Sequence, residues 1–539
     1  MQSLSRFFFL LLLMGPLCVQ AQKAEDLLLW FHADEKTEQY RGVSTRQAYE
    51  LLKGRASQTV IVGVIDSGIE IDHPDLEGRI WVNEDEIPGN GIDDDNNGYV
   101  DDVNGWDFIG GANGEDVDKD TYELTRLYKI YSEKYAALEG KKIPKKQKAE
   151  FNYYQKIKAD YEGKVAETKA MAEEVDNAKQ LIAMVQQADG TLRGFLKKDI
   201  YTLEELEGIK TENADVNMSK GLITEICKSN GIGVDKLLEE IASYDEYVKY
   251  LNGQLEYGLN PKFDPRPTVG DDYGNLTERG YGNGEVEGPD AEHGTHVAGI
   301  IAARRDNDLG GMGIAENVRI MVIRAVPDGD ERDKDVANAI RYAVDNGAQI
   351  INMSFGKSYS PQKTVVDEAV RYAEQKGVLL VHAAGNDAKN IDVEPNFPTV
   401  VYENGQRASN WIEVGASSYG EDDNFVGDFS NFGQKNVDIF APGVEIYAPV
   451  TDYKFKYNQG TSMAAPVVAG VAALLKSYFP QLSPVEIKQI LMDSARKYAG
   501  RMISKPGGEG TVDFAKLSVS GGIVNAYEAV RMALEKEKP

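Results

Sequence analysis

Short, continuous apolar runs alternate with amphipathic segments through much of this chain of 539 residues. Apolar runs of this length are typical of strands that are buried on both faces. The predicted strands lie at 59–65, 318–326, 348–353 and 378–383, and segments with helical periodicity lie at 335–345 and 364–376. Because strands alternate with helices, we predict an α/β fold in which helices cover both faces of a parallel sheet.

Residues 113–260 follow a different pattern. Apolar residues recur there every three or four positions in a Lys/Glu-rich background. This spacing predicts amphipathic helices, arranged as an antiparallel hairpin or a small bundle. We therefore predict a discontinuous α/β domain at 22–112 and 261–539, with 113–260 as a helical insertion. The charges along the insertion indicate a helix face exposed to solvent. The alternative is that this face binds a protein partner.

The first 21 residues have the pattern of an export signal. Arg6 precedes the apolar run 7–13, and residues 19–21 suit cleavage before Gln22. The run is too short to span a bilayer, and no later run reads as a membrane span. We predict a soluble exported protein, in the periplasm or outside the cell. A lipid anchor at Cys18 ranks second because the residue before it is the bulky Leu17.

Charge and cysteine content narrow the class of protein further. The net charge is −28 and the isoelectric point is about 4.7. Because phosphate binding needs a basic surface, this balance excludes nucleic acid as a partner. Once the signal is removed, Cys227 is the one remaining cysteine, so an intrachain disulfide cannot form.

A serine stands where a long apolar segment begins. Gly460, Thr461 and Ser462 form a short turn before the apolar run 467–475, which predicts a buried helix. A serine at such a position commonly caps the helix. It acts as a nucleophile only where a base, an orienting carboxylate and oxyanion donors converge on it.

Residues of those types stand at the predicted ends of strands and helices. Asp66 ends the strand at 59–65, and Asn386 follows the strand at 378–383, the edge at which parallel sheets place functional groups. His293 stands at the start of a helical segment, where the glycine beside it allows the histidine to be exposed. His382 lies within an apolar strand and reads as a core residue.

Three segments together resemble the signatures of the subtilisin-like serine peptidases, the subtilases. They lie at 64–69, 293–299 and 460–466, in the Asp, His, Ser order of subtilisin. The resemblance implies that Ser462 is the nucleophile, His293 the general base and Asp66 its orienting carboxylate. It also implies an oxyanion hole made by Asn386 and the Ser462 backbone N–H, with His296 in a supporting position. We therefore predict a serine endopeptidase that acts on polypeptides through an acyl-enzyme.

The resemblance extends to two segments that would bind the substrate. Ser354, Phe355 and Gly356 look like the edge segment that pairs with an extended peptide. Ala384 and Gly385 look like one wall of the pocket for the residue before the cleaved bond. The loop at 387–410 does not align securely, so the depth of that pocket stays open.

Two other functions compete with this prediction. An inactive subtilase-like protein would use the insertion as an interaction arm, but a pseudoenzyme commonly loses a catalytic residue, and Asp66, His293, Ser462 and Asn386 are all present. A zinc site at His293 and His296 is disfavoured, since the helical zinc motif needs two histidines four residues apart with a glutamate between them.

Structural calcium is the predicted cofactor, with no catalytic cofactor. One acidic segment alternates oxygen ligands around Gly98, as calcium loops do. Its predicted ligands are Asp93, Asp95, Asn97, the Tyr99 carbonyl, and Asp101 or Asp102. A closing glutamate is missing, because Asn104 stands at that position. Asp75 and the loop at 307–311, with Asn307, resemble the ligands of a second calcium site of the family.

Overall fold

A computed structural model describes residues 28–537, except 243, 306 and 509. The predicted export signal at 1–21 therefore lies outside the described residues. The chain forms two compact units. The larger unit combines the described residues up to Glu123 with those from Asp264 onward, and the smaller unit is Leu124–Phe263.

A parallel sheet forms the centre of the larger unit. Nine of the described strands join in the order β10-β13-β7-β6-β5-β4-β1-β3-β2, and all neighbours are parallel except β10 and β13. Two antiparallel hairpins, β8–β9 and β11–β12, lie outside this sheet. The strands are β1 (Val60–Asp66), β2 (Gly105–Asp107), β3 (Val318–Arg324), β4 (Ile350–Met353), β5 (Leu379–Ala383), β6 (Trp411–Ser417), β7 (Ile439–Pro442), β8 (Ile446–Val450), β9 (Lys454–Asn458), β10 (Arg496–Lys497), β11 (Met502–Ser504), β12 (Thr511–Asp513) and β13 (Gly522–Ile523).

Helices cover both faces of the sheet, which confirms the predicted fold class. Alternate residues of β1 point to opposite faces, so Val62 and Val64 join one hydrophobic core and Ile65 joins the other. The first core contains α9, α12 and α14, and the second contains α10 and α11. The helices are α1 (Glu35–Glu38), α2 (Thr45–Leu52), α3 (Glu123–Tyr135), α4 (Lys148–Leu196), α5 (Leu203–Gly208), α6 (Ala214–Asn230), α7 (Val234–Ala242), α8 (Tyr244–Gly253), α9 (Glu292–Ala302), α10 (Asp333–Asp345), α11 (Lys363–Lys376), α12 (Thr461–Tyr478), α13 (Pro484–Ser494) and α14 (Ala526–Lys536).

Helix α12 is long and apolar enough to cross a membrane, the one such helix in the described part of the chain. Its most apolar window is 83% buried inside the protein. The apolar composition is therefore explained by its position in the centre of the first core, against β4, β5 and β6.

The smaller unit is helical and has its own hydrophobic core. Leu192 of α4, Ile223 of α6 and Leu237 of α7 are fully buried in that core. The unit begins later than the predicted insertion at 113. Residues 113–123 belong to the larger unit, because the backbone N–H of Val117 bonds the Ile109 carbonyl and that of Asp120 bonds the Asp328 carbonyl.

The segment before β1 contributes to the core of the larger unit. Trp30 and Phe31 are almost completely buried, and the Trp30 indole N–H donates to the Glu445 carbonyl over 3.1 Å. The backbone N–H of Ala526, where α14 begins, bonds the Val43 carbonyl over 2.7 Å. The described residues of this segment therefore pack as an integral part of the unit.

Candidate active site

Asp66 and His293 form a direct pair at the carboxyl edge of the sheet. The Nδ1 atom of His293 lies 2.6 Å from Oδ1 of Asp66, and the same oxygen accepts the Ser67 backbone N–H over 2.8 Å. Helix α9 approaches the end of β1 very closely, since a Cβ on Gly294 would lie only 2.0 Å from the Gly68 carbonyl oxygen. Glycine at this position therefore allows His293 to reach Asp66.

The pairing determines which nitrogen of His293 is available as a base. Asp66 Oδ1 can only accept, so Nδ1 carries the hydrogen and Nε2 is left with a lone pair. Burial lowers the pKa of His293, but the charge of Asp66 and its hydrogen bond outweigh burial, and the net pKa is raised above 6.5. The side chain is still 41% exposed, so solvent and substrate can reach it.

Ser462 lies in the first turn of α12, next to the strand that neighbours β1. Its Oγ donates to the Ser354 carbonyl over 3.1 Å, and the Ser354 hydroxyl donates back to the Ser462 carbonyl over 2.8 Å. Ser354 directly follows β4, and β4 pairs with β1 up to the residue before Asp66. Neighbouring strands are about 4.8 Å apart, so the serine and the Asp66–His293 pair occupy the same edge of the sheet.

The described residues contain no hydrogen bond between Ser462 and His293. The serine hydroxyl donates its hydrogen to the Ser354 carbonyl instead, and this hydrogen bond has to break before Nε2 can accept the proton. Hydrogen bonds of this kind are often long or poorly aligned in a protein without substrate. The structure thus brings the predicted acid and base into contact and leaves the predicted nucleophile beside them.

Two N–H donors face the space next to Ser462. Oδ1 of Asn386 accepts the Thr461 backbone N–H and the Thr461 hydroxyl, each over 2.9 Å. This anchors the amide so that its Nδ2 lies near Gly460, 3.4 Å from where a Cβ on that glycine would stand. Within the described chain, neither Asn386 Nδ2 nor the Ser462 backbone N–H donates to another group. Thr461 was not predicted as the anchor, although its place beside the serine was a signal.

His296 holds α9 against the β8–β9 hairpin. Its Nε2 lies 3.0 Å from the Ile446 carbonyl and 3.1 Å from the Lys456 carbonyl. Burial lowers the pKa of His296 to about 4, so the ring is neutral at pH 7. His382 is fully buried in the core, as predicted, with Nδ1 2.9 Å from Glu413.

The five predicted substrate-binding residues belong to two segments, one after β4 and one after β5, that meet near Ser462. Ser354 is buried and bonded to Ser462, as described above, and Gly356 has a backbone N–H and carbonyl that bond no described residue. The Phe355 ring is 9% exposed and packs beside the His382 ring, so it belongs to the core under this edge of the sheet. Ala384 is completely buried, and Gly385 has a positive φ of 102°.

The first predicted calcium loop brings together a ligand set that differs from the expected one. Carboxylate oxygens of Glu86, Asp95 and Asp102 all lie within 4.8 Å of one another. Burial raises the pKa of Asp102 to about 6, and hydrogen bonds from Tyr342, Asn83 and Asn97 oppose this rise. Asn97 bridges Asp95 and Asp102 through its amide, at 3.1 and 3.0 Å.

Asp93 and Asp101 bond the backbone of the loop. The carboxylate of Asp93 accepts the N–H groups of Asn97 and Gly98, and that of Asp101 accepts those of Asn90 and Gly91. Glu86, which replaces them in the cluster, was missed because it stands outside the alternating ligand pattern. The oxygen-only set of Glu86, Asp95 and Asp102 suits a hard divalent cation such as calcium.

At the second predicted calcium site, Oδ1 of Asp75 accepts the Asn307 amide over 2.6 Å. Oδ2 of Asp75 is buried and lies against Gly311, where a Cβ would stand 2.1 Å away. Burial raises the pKa of Asp75, although hydrogen bonds from Asn307 and the Gly311 backbone oppose it. A buried carboxylate beside an amide is compatible with a cation ligand.

These features define a class of protein. A parallel α/β sheet that presents a carboxylate–imidazole pair, a helix-start serine and two N–H donors at one edge has the parts of a Ser-His-Asp hydrolase. The family model described as the subtilase family matches residues 57–510. The chain belongs to the subtilase family, which confirms the resemblance.

Individual relatives agree with this assignment. The chain is 42% identical over 263 residues to a thermophilic serine proteinase of Bacillus sp. (strain AK1), a match that covers 49% of this chain and 57% of that protein. It is 37% identical over 240 residues to thermitase of Thermoactinomyces vulgaris, covering 44% of this chain and 75% of thermitase. It thus spans little more than half the length of the Bacillus proteinase. A solved cold-adapted subtilisin-like serine proteinase matches 46% of this chain and 78% of its own, at 29% identity and a TM-score of 0.36.

Proposed function

We propose that this protein is an exported serine endopeptidase that hydrolyses polypeptides through an acyl-enzyme. The observation that carries the proposal is the 2.6 Å bond between His293 and Asp66 beside Ser462. The serine proteinases and thermitase among its relatives support the same activity. A relative named the cell wall-associated protease of Bacillus subtilis (strain 168), 37% identical over 207 residues, supports export.

In the proposed reaction, Ser462 Oγ attacks the carbonyl carbon of the peptide bond while His293 Nε2 takes its proton. Asp66 stabilises the imidazolium that forms, because its charge already favours the protonated ring. Asn386 Nδ2 and the Ser462 N–H then donate to the carbonyl oxygen as it becomes negative. His293 returns the proton to the leaving amine, and water, deprotonated by the same nitrogen, hydrolyses the acyl-enzyme.

Labelling with a fluorophosphonate tests the activity directly. We expect one adduct, on Ser462, in the folded protein and none after denaturation, because the reagent needs both the base and the oxyanion donors. The matched control is Ser483, which caps α13 by accepting the Glu486 N–H and lies in no such arrangement. Folded protein that leaves Ser462 unlabelled would favour the inactive binding protein instead.

The pH dependence follows from the raised pKa of His293. Neutral His293 is the active form, so kcat/KM should fall as the pH drops through the pKa of this residue. Since that pKa is raised, the midpoint of the acid limb should lie above 6.5. Initial rates on one peptide between about pH 5 and pH 9 would measure it. A rate that stays flat across this range would contradict the assignment of the base.

We propose that calcium binds at Glu86, Asp95 and Asp102 and has a structural role, and that a second ion binds at Asp75 and Asn307. A chelator should lower the melting midpoint of the protein, because an ion that binds the folded state alone stabilises it by roughly 2.7 kcal/mol at a hundredfold excess over its dissociation constant. Glu86→Gln should remove much of the calcium-dependent part of this shift. Glu84→Gln, at an exposed position nearby, should retain it. Equal melting curves with calcium and with chelator would contradict both sites.

A protein partner of the helical unit stays a prediction. The unit has solvated charges and its own core, and both are compatible with a separate binding role.

A further inference from the structure

Lys357 directly follows the segment 354–356, which is predicted to pair with an extended peptide. Its side chain is 1% exposed, so its charge is buried. Nζ lies 3.1 Å from Oε2 of Glu123, 2.9 Å from Oδ1 of Asp333 and 2.7 Å from the Glu331 carbonyl oxygen. An ammonium group has three hydrogens to donate, and these three acceptors hold the side chain in one position.

The backbone of Lys357 is held as well. Its N–H donates to the Phe397 carbonyl over 3.0 Å, and the Phe397 N–H donates back to the Lys357 carbonyl over 2.8 Å. At the other end of the segment, Ser354 and Ser462 exchange two hydrogen bonds. The N–H and carbonyl of Gly356 lie between these attachments. Their direction, on which pairing with an added strand depends, is therefore set by the attachments at both ends.

Glu123, a carboxylate partner of Lys357, is the residue at which α3 begins. Its side chain is 4% exposed, and its backbone N–H donates to Oδ2 of Asp330 over 2.8 Å. The next residue, Leu124, is the first described residue of the smaller unit. Lys357 thus links the end of the segment 354–356 to the last residue of the larger unit before the chain continues into the helices.

This ion pair has a direct consequence for the segment. When one partner of a buried pair is removed, the other charge stays buried without its counterion, which is strongly unfavourable. Without the ammonium group of Lys357, the carboxylates of Glu123 and Asp333 would face each other with no cation between them. Residues near them would have to move, and Gly356 would keep only the backbone bonds to Phe397 on that side.

We propose that Lys357 is a positioning residue for the peptide-pairing segment, and that its bond to Glu123 couples peptide binding to the start of α3. Gly356 stands two residues beyond Ser354, roughly 7 Å along an extended chain, so only a peptide that continues past the acyl-side residue reaches it. Extended peptides should therefore depend on Lys357, and a single-residue ester should not. The inference rests on the proposed peptidase function.

The experiment compares a peptide with four acyl-side residues and an acetylated single-residue ester with the same residue at the cleaved bond. Lys357→Met should raise KM for the peptide about tenfold, the size of losing two main-chain hydrogen bonds, and leave its kcat nearly unchanged. The kinetic constants for the ester should stay near those of the parent.

Glu123→Gln is the second variant, because it removes the charge and keeps the shape of the side chain. It should raise KM for the peptide about threefold. In the double variant with Lys357→Met it should add nothing, since residues that act through one bond are not additive. Two effects that simply add would overturn the coupling.

Lys334→Met is the matched control. Lys334 is equally buried and lies at the start of α10, where Nζ is 2.6 Å from Asp271 and 2.7 Å from Glu278. It bonds none of residues 354–356 in the described part of the chain. This variant should lower the melting midpoint, as Lys357→Met should, but keep the parental KM for the peptide.

Fluorophosphonate labelling of Ser462 shows which variants retain the site. A labelled Lys357→Met with the parental KM for the peptide, or a Lys334→Met with an equally raised KM, would overturn the role of Lys357. If Lys357→Met takes no label, Glu123→Gln decides, and a labelled Glu123→Gln with the parental KM would overturn the proposal. An unmodified protein that hydrolyses no peptide and takes no label would overturn the peptidase function, and this inference with it.

Discussion

Ser462→Ala should abolish peptide hydrolysis while leaving the fold intact. The nucleophile is the one group in the triad that the substrate bonds covalently, so its loss should lower kcat on the order of 10⁶-fold. A small rate above that of water should remain, because Asn386 Nδ2 and the Ser462 backbone N–H survive the substitution. Hydrolysis of one peptide by purified variant and parent protein, with active-site titration of the parent, measures the difference.

The structure separates this result from a loss of stability. Ser462 makes no capping bond, since α12 has Gly460 at its N-cap position without a side-chain cap. Among the described residues, the one hydrogen bond of the side chain that is lost is the one that Ser462 Oγ donates to the Ser354 carbonyl. We therefore expect the melting midpoint to change little in Ser462→Ala.

Ser483→Ala is the matched control, because this serine does cap a helix. Its removal should cost roughly 1 kcal/mol of stability and leave turnover unchanged. The two variants should thus show opposite effects. Residual turnover in Ser462→Ala close to that of the parent would refute the nucleophile, and a collapsed melting curve would show that the serine has a structural role.

Most of the fold could be predicted because its elements carry local signals. β1 is a continuous apolar run that ends in Asp66, and the pattern placed it within one residue of the observed strand. The same holds for the helix after Ser462, whose apolar residues extend over 467–475 within the longer α12. A buried parallel strand can be recognised from its own residues, since most positions along it are apolar.

The features that the sequence analysis missed depend on contacts between distant segments. Thr461 anchors the Asn386 amide, and this contact forms only where the segment after β5 meets the start of α12. Glu86 joins Asp95 and Asp102 in the same way. Periodicity reports which face of an element is buried, but it does not report which loop residues meet across a sheet edge.

Asp66→Asn should lower kcat on the order of 10⁴-fold, the size expected when a triad histidine is held in the wrong tautomer. Oδ1 of Asp66 accepts two hydrogens, from His293 Nδ1 and from the Ser67 N–H. If the amide nitrogen of asparagine takes this place, it repels the Ser67 N–H and forces Nδ1 of His293 to accept. The hydrogen of the ring then moves to Nε2, where the base is needed.

The other orientation of the asparagine amide is also unfavourable. It keeps an oxygen at the Oδ1 position but puts NH₂ where Oδ2 is now buried without a hydrogen-bond partner among the described residues. A buried donor without an acceptor costs about 1–3 kcal/mol. In addition, the neutral amide no longer stabilises the imidazolium of His293.

The two effects have separate readouts in the pH profile of kcat/KM. The charge of Asp66 raises the pKa of His293, so Asp66→Asn should move the acid limb of the residual activity to lower pH. Asp290→Asn is the control, because Asp290 raises the same pKa through its charge but makes no hydrogen bond to the ring among the described residues. It should shift the limb slightly in the same direction and keep most of the rate. Asp66→Asn with parental kcat and an unmoved acid limb would mean that Asp66 neither orients nor charges the base, and the triad would lose its third member.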